Sequence, residues 1–217
     1  MIERSRLGAL RIALIAVFVL TPGLARAQVF GQYTGATPLD PNRHLFGAYL
    51  HASDSLLGAM GQLRLSFYPG IDFGFQGGLA QLHLSEGDRT TIRFGTDIKA
   101  AVAKPGASTP FAVAMGVGLG VEVSDQLSSI TLAPSAVASQ DCVLGCTVNV
   151  TPYAGAAIAF TRRSLDSHDE NDVTLPVRLG SEVDLGSSAR FVFELQLLFG
   201  NDFGDSYQIV SGVHFAF

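Results

Sequence analysis

His51 and Ser53 are the residues whose types and spacing come closest to a catalytic pair. If "YLHAS" forms a strand, the two-residue period puts both side chains on one face. A histidine base beside a serine nucleophile is the arrangement of a hydrolase, completed by a carboxylate that orients the histidine. Asp54 follows directly but falls on the opposite face, and no other acid can be assigned. The favoured interpretation is therefore a hydrogen-bonded histidine, with His51 and Ser53 as the only catalytic candidates.

The two cysteines, Cys142 and Cys146, lie in the short stretch "DCVLGC". An even pair in an exported chain predicts a disulfide, because the compartments outside the cytoplasm are oxidising. The alternative is a metal site of Cys-x3-Cys spacing, but no histidine lies nearby to complete it. We expect a disulfide, with no metal site and no cofactor site elsewhere in the chain.

The first 27 residues have the composition of a secretory signal peptide. They contain Arg4, Arg6 and Arg11, an apolar run over 12–20, and small residues on either side of Arg26. This order of basic head, short apolar middle and small-residue cleavage site predicts export and a cut after Ala27. The alternative, an uncleaved membrane anchor, is disfavoured because the apolar run is too short to span a bilayer.

The mature chain is acidic. The whole sequence has 14 basic and 19 acidic residues. Removal of residues 1–27 takes away four basic and one acidic residue, which leaves a net charge of −8. An acidic exported chain is a poor candidate for nucleic-acid binding, so we expect no nucleic-acid partner.

Strict two-residue alternation is the main pattern of the mature chain. In the segment 189–200, Phe191, Phe193 and Leu195 share one parity, while Glu194 and Gln196 have the other. This period predicts a strand with one apolar and one polar face. The same pattern recurs along the chain, and no segment has a convincing helical period. Ten strands are predicted, at 43–53, 57–68, 71–84, 91–102, 111–123, 129–138, 147–163, 173–184, 189–200 and 206–217.

The predicted strands are about 10 to 15 residues long, longer than the about 5 to 6 typical of globular proteins and sufficient to cross a bilayer at a tilt. The fold class predicted is all-β, an antiparallel up-and-down sheet. Eight strands result if two less regular segments merge, and twelve if "QVFGQY" forms a strand.

Alternation alone does not decide whether the apolar face points inward, as in a soluble barrel, or outward into lipid. The polar faces are rich in glycine, including Gly95, Gly116, Gly118 and Gly120. Glycine weakens a strand and brings no benefit on a solvated face. In a crowded lumen, by contrast, a missing side chain leaves space for neighbouring side chains. The polar faces also hold both charge signs, which can neutralise each other in a narrow lumen. The predicted polar network of the lumen comprises Arg64, Asp72, Arg93, Asp97, Lys99, Glu122, Arg178, Glu182, Asp184, Arg190, Glu194 and His214.

The last segment, "SYQIVSGVHFAF", carries apolar residues at alternate positions and closes on a phenylalanine. This ending resembles the C-terminal signature of bacterial outer-membrane β-barrel proteins, of the small porin-like kind. The matching positions are Tyr207, Ile209, Val213, Phe215 and Phe217, and Ser211 departs from the pattern. The resemblance implies that the last strand pairs with the first and is read by the barrel-assembly machinery.

The resemblance and the alternation together predict a closed transmembrane β-barrel in the outer membrane, with membrane lipid as a partner. The expected domains are a cleaved signal peptide at 1–27, a periplasmic segment at 28–42 and the barrel at 43–217. An even strand count puts both ends of the barrel chain on the periplasmic side. The outward loops are then expected near 54–57, 85–89, 124–128, 164–172 and 201–205.

Three functions remain open at this point. The first is a structural or surface-interaction barrel whose lumen is largely filled by charge pairs. The second is a narrow passive channel or transporter for small solutes, which the glycine-lined strand 111–123 would favour. The third is a lipid A-modifying hydrolase, since some outer-membrane deacylases use a His-x-Ser pair like His51 and Ser53. The pattern does not determine an oligomeric state.

Overall fold

The computed structural model describes residues 32–83, 87–106, 109–125, 127–140, 149–165, 168–186, 188–200 and 205–217. The predicted signal peptide and the Cys142/Cys146 pair lie outside the described residues. Within the described ranges, every regular element is a strand. No helix there is long and apolar enough to cross a membrane, a finding that concerns helices alone.

Eleven strand segments follow one another along the chain. Their bounds are β1 His44–Ala52, β2 Leu56–Tyr68, β3 Ile71–Leu82, β4 Arg89–Ala103, β5 Ala112–Val123, β6 Leu127–Ser139, β7 Val150–Ala157, β8 Ala159–Leu165, β9 His168–Asp184, β10 Ala189–Phe199 and β11 Tyr207–Ala216.

Strands β7 and β8 are two halves of one barrel strand, so the eleven segments form a barrel of ten strands. Both halves pair with β6 on one side and with β9 on the other. The break falls at Ile158, which lies beside Pro134 of β6. Proline has no backbone N–H, so the ladder loses a hydrogen bond at this point. The predicted ten-strand count is confirmed.

The sheet closes on itself in the order of the chain. With β7 and β8 counted as one strand, each strand pairs antiparallel with its sequence neighbours, and β11 pairs with β1. The seam ends in two backbone hydrogen bonds between His44 and Phe217, each of 2.9 Å. Closure matters because an open sheet edge would leave backbone polar groups unpaired. The antiparallel up-and-down barrel predicted from the sequence is confirmed.

The two faces of the wall are reversed relative to a soluble barrel. Large apolar side chains such as Phe46, Phe94 and Leu119 are exposed on the outside, whereas Arg64 and Glu194 are fully buried inside. An apolar exterior with a polar interior is the arrangement of a barrel that stands in lipid.

The hairpin of β8 and β9 is longer than the sequence indicated. A loop was expected at 164–172, but β8 runs to Leu165 and β9 begins at His168. The pairing continues because polar side chains match across it, as in the 2.8 Å contact between Arg162 and Asp169. Cross-strand pairs of opposite charge stabilise a ladder even without apolar side chains. This hairpin stands at the end of the barrel opposite the termini, which we call the distal end; the end with His44 and Phe217 is the terminal end.

The chain ahead of β1 enters the barrel. The sequence led us to expect residues 28–42 in the periplasm, but the structure buries residues 32–36 within the lumen. Thr37, Asp40 and Pro41 then lie exposed near the terminal end. Small side chains and free backbone polar groups let this stretch fit among lumen side chains that can bind it. We refer to residues 32–39 as the plug segment.

Candidate functional site: the filled lumen

The first part of the lumen network is built on Arg64 of β2. Two nitrogens of its guanidinium, Nε and Nη2, donate to Asp72. The guanidinium also donates to both carboxylate oxygens of Asp97, at 2.8 and 3.1 Å. Gln76 donates to Asp97 as well, at 2.5 Å. The planar fork of arginine suits two carboxylates, and Lys99, 3.5 Å from Asp72, supplies the second positive charge. Three neighbouring strands are tied together in this way.

The lumen contains two further ion pairs. Arg93 donates to Glu122 at 2.8 and 3.0 Å between β4 and β5. Arg178 of β9 lies 3.7 Å from Glu194 of β10, which also accepts a 2.7 Å hydrogen bond from the Tyr153 hydroxyl. The two ion pairs link adjacent strands, and the Tyr153 hydrogen bond joins β7 to β10 across β9, so the lumen is bound together from several sides.

Glu182 of β9 connects the wall to the plug segment. One carboxylate oxygen accepts from the Gly35 N–H at 2.5 Å. The other lies 3.0 Å from Arg190 and 3.5 Å from His214. His214 in turn lies 3.3 Å from the Tyr49 hydroxyl. A single carboxylate thus neutralises a cation, faces a histidine and holds the plug main chain.

Several lumen glycines make room for tyrosine rings. A Cβ on Gly180 would lie 2.4 Å from Tyr153, and one on Gly212 would lie 2.5 Å from Tyr49. Each glycine is paired in register with the tyrosine across the strands, so the ring lies over the glycine backbone. The sequence indicated that glycine provides space in the lumen, but it did not show which residue fills that space.

The plug segment is held mainly through its backbone. Lys99 donates to Gly35 O and to the Thr34 hydroxyl, each at 3.0 Å. The Ala36 N–H donates to the Ser139 hydroxyl at 2.9 Å. Further hydrogen bonds join Gln32 O to Arg178 and the Leu39 N–H to Asp72. Buried backbone groups need partners, and here the wall side chains supply them.

Tyr33 anchors the segment by packing as well as by hydrogen bonding. Its ring is 4.4 Å from that of Tyr49, and its hydroxyl is 3.0 Å from Nε2 of His51. It is fully buried in an apolar cluster inside the lumen. The members of this cluster are Tyr33, Tyr49, Met60, Val192 and Val210.

Two small cavities adjoin the plug segment within the described residues. At the terminal end a cavity of about 50 Å³ is lined by Thr34, Leu39, Lys99 and Arg190, among other residues. A second cavity of about 10 Å³ lies next to Gln32. A water molecule needs about 10–15 Å³ of such space, so the smaller cavity has room for about one water molecule and the larger for a few.

Of the twelve side chains predicted for the polar network, ten are buried in the lumen. The other two, Asp184 and Arg190, lie at the terminal rim. Arg190 reaches Glu182 from there with half of its side chain exposed, and Asp184 accepts from the Gly186 N–H in the adjoining turn. Sequence reasoning missed Tyr33, Tyr49, Tyr153 and Ser139, because the sequence around a tyrosine or a serine carries no sign of its partner.

His51 and Ser53 have separate partners. His51 faces the Tyr33 hydroxyl, whereas the Ser53 hydroxyl donates to Asp205 through a short contact. Asp205 also accepts from the Ser55 N–H and hydroxyl, at 3.1 and 2.8 Å. Asp54 accepts from Tyr207 at 2.8 Å. These contacts join the β1–β2 turn to the start of β11 at the distal rim.

The C-terminal signature residues lie along β11 and its end. Ile209, Phe215 and Phe217 are exposed on the outer face, and Tyr207 and Val213 are partly exposed. The Phe217 ring lies 5.6 Å from the His44 ring at the seam. Across the part of the chain that the structure describes, no group of three His, Cys, Asp or Glu side chains could hold a metal ion.

No protein-family model matches the sequence, and no curated protein matches it. Comparison with solved structures finds barrels at low identity. The N-terminal β-barrel domain of Pseudomonas aeruginosa OprF is 11% identical, with a TM-score of 0.36 over 82% of this chain and 98% of that chain. The β domain of the Bordetella autotransporter Brka is 10% identical, with a TM-score of 0.48 over 82% and 100%.

An outer membrane channel from Pseudomonas putida F1 is 9% identical, with a TM-score of 0.44 over 88% of this chain and 100% of that chain. With every TM-score below 0.5, these likenesses add no argument about function. The geometry of the chain itself, a closed sheet with a polar, ion-paired lumen and an apolar exterior, is that of a β-barrel that spans a membrane.

Proposed function

We propose that the protein is a closed outer-membrane barrel with a structural or surface-interaction role and no permanent aqueous channel. The observation that carries this proposal is the filling of the lumen by ion-paired side chains together with buried residues 32–36. Wide aqueous pores need about 16 strands, and ten strands enclose a much narrower space. The alternative function, a narrow passive channel for small solutes, requires a continuous path past the buried residues 32–36, and the two cavities described beside them have volumes of only about 50 and 10 Å³.

The test is electrical conductance of the purified mature protein in planar lipid bilayers. We expect no discrete current steps at high salt. The same preparation is run unheated and heated on a gel, since a heat-modifiable shift shows that the inserted protein is folded. Regular single-channel steps from folded protein would overturn the closed-barrel proposal and favour the channel.

The distal rim is the surface we propose for interaction. Its β1–β2 turn is held by hydrogen bonds that Ser53 and Ser55 donate to Asp205, and the β8–β9 hairpin presents Arg162 and Asp169 with more than half of each side chain exposed. A turn held by hydrogen bonds and a paired hairpin present these charges in a constant arrangement, which suits recognition because less conformational freedom is lost on binding.

We also propose that the barrel is not an enzyme, because His51 and Ser53 each bind another residue and do not bind each other. Mass spectrometry of lipid A from a host that makes the wild-type protein or the Ser53→Ala variant tests this. The two profiles should be identical. Lipid A that has lost an acyl chain only in the host with the wild-type protein would support the hydrolase hypothesis instead.

Assembly through the C-terminal strand is part of the proposal. Phe217 lies at the seam, where its backbone closes the last pairing with His44. Delayed appearance of the heat-modifiable form in cells that make Phe217→Ala, compared with Phe199→Ala on another strand, would support recognition of this residue by the assembly machinery. Equal assembly of both variants would contradict it.

A further inference from the structure

We infer that the lumen is an exchangeable binding site for a short, non-helical peptide, and that residues 32–39 are its resident ligand. This inference goes beyond the closed-barrel role, since it assigns a ligand class to the interior. Side chains of the barrel wall form hydrogen bonds with five main-chain atoms of the plug segment: Gln32 O, Gly35 N, Gly35 O, Ala36 N and Leu39 N.

The wall groups that bind these atoms come from distant parts of the barrel. Lys99 is on β4, Ser139 on β6 and Glu182 on β9, and all three are at least nine-tenths buried. Each faces a donor or an acceptor of the opposite kind on the segment. Side chains that converge from different strands onto one main chain make a built site, as backbone recognition does wherever a protein binds a peptide.

The shape of the site limits the ligand to small residues in its middle. A Cβ on Gly35 would lie 3.2 Å from Ser139 and 3.3 Å from Glu182. Ala36 is nearly fully buried against Ala112, Ala114 and other members of an apolar cluster. At the inner end Tyr33 fills the space beside Tyr49 and His51. The preferred ligand is therefore an aromatic residue followed, two and three positions later, by Gly and Ala.

The barrel wall does not depend on the plug segment for its closure. The seam is made by the β1–β11 ladder, which begins at His44, after the segment has left the lumen. Asp40 and Pro41, which join the segment to the wall, are exposed and outside any strand. The connection can therefore be cut after the full chain has folded, with the wall left intact.

The experiment uses the full mature chain with a specific protease site inserted between Asp40 and Pro41. After folding in detergent and cleavage, the barrel is mixed with a fluorescent peptide of residues 32–41, "QYTGATPLDP", acetylated and amidated to remove end charges. Fluorescence anisotropy should rise with barrel concentration and saturate. The uncleaved barrel should bind far less, because its tethered segment competes at a high effective concentration.

A peptide with sarcosine in place of Gly35 tests main-chain recognition. It lacks the N–H that donates to Glu182, and loss of a hydrogen bond to a charged group should weaken binding by about tenfold or more. The matched control is the Asp40→Asn peptide, which changes an exposed residue and should bind within about twofold of the parent.

Absence of saturable binding to the cleaved, folded barrel would overturn the inference, and so would equal binding of the sarcosine and parent peptides. Neither outcome concerns conductance of the intact protein. If the barrel conducts ions and also binds the peptide, only the closed-barrel proposal is refuted. If it neither conducts ions nor binds the peptide, only the proposed binding site is refuted.

Discussion

Arg64 is the residue whose removal should harm the lumen most. It is fully buried and is hydrogen-bonded to both Asp72 and Asp97. Arg64→Met keeps the bulk but leaves two buried carboxylates with far less compensating charge, so we expect the free energy of unfolding to fall by about 3–5 kcal/mol. Urea unfolding in lipid vesicles, followed by the heat-modifiable gel shift, measures this.

The control for Arg64 is Arg162→Met. Arg162 also pairs with an aspartate, Asp169, but both side chains are more than half exposed at the distal hairpin. Solvent screens such a pair, so its removal should leave the unfolding midpoint unchanged. Equal effects of the two substitutions would mean that burial of the network contributes nothing to stability.

Gly180 offers a second test at the scale of single residues. Gly180→Ala places a methyl group where the Tyr153 ring now lies, and the ring cannot move without straining its hydrogen bond to Glu194. We expect a loss of about 1–3 kcal/mol in the free energy of unfolding, as for other overpacked sites.

Gly61→Ala is the matched control, because a Cβ there meets only backbone atoms at 3.7 and 4.0 Å. It should change the free energy of unfolding by no more than about 0.5 kcal/mol. If both alanines were tolerated alike, the close approach of Tyr153 to Gly180 would carry no stabilisation.

At the scale of elements, the strands were predictable from the sequence and the plug segment was not. Alternation over long segments predicts that each strand exists, about how long it is and which side chains share a face, because a two-residue period follows directly from strand geometry. "QYTGATPLDP" has no period at all, since an irregular segment has no repeating face. Its burial follows from partners such as Glu182 and Ser139, which are more than 100 residues away in sequence.

Ser139 of β6 tests how firmly this segment is held. Ser139→Ala removes the acceptor of the Ala36 N–H, a loss of about 1 kcal/mol for a neutral hydrogen bond, which corresponds to about fivefold. We expect hydrogen exchange at the Ala36 amide to speed up by about that factor. Ser128→Ala, at an exposed position of the same strand, should leave this amide unchanged; an unaltered rate in Ser139→Ala would contradict the contact.

At the scale of the whole molecule, the apolar exterior predicts a dependence on depth in the membrane. Val117 lies midway along the outward face of β5, and Val123 lies at its distal end; both are exposed. Val117→Arg should lower the free energy of unfolding by about 2–4 kcal/mol in lipid, whereas Val123→Arg should cost about 0–1 kcal/mol.

Folding titrations of both arginine variants into vesicles give these values. Similar costs at the two positions would contradict a membrane centred on the middle of β5. The sequence already indicated which face is apolar, but the depth of each residue follows only from the pairing register, which sets strand against strand.

Tyr33 has contacts that depend on the order of events during assembly. Its apolar neighbours Tyr49 and Met60 come from the first two strands, and Val192 and Val210 come from the last two. These four residues meet only when the two ends of the sheet have joined, so the complete pocket for this ring does not exist before the barrel closes. Docking of the tyrosine must therefore be a late step, and its withdrawal from solvent marks a finished barrel.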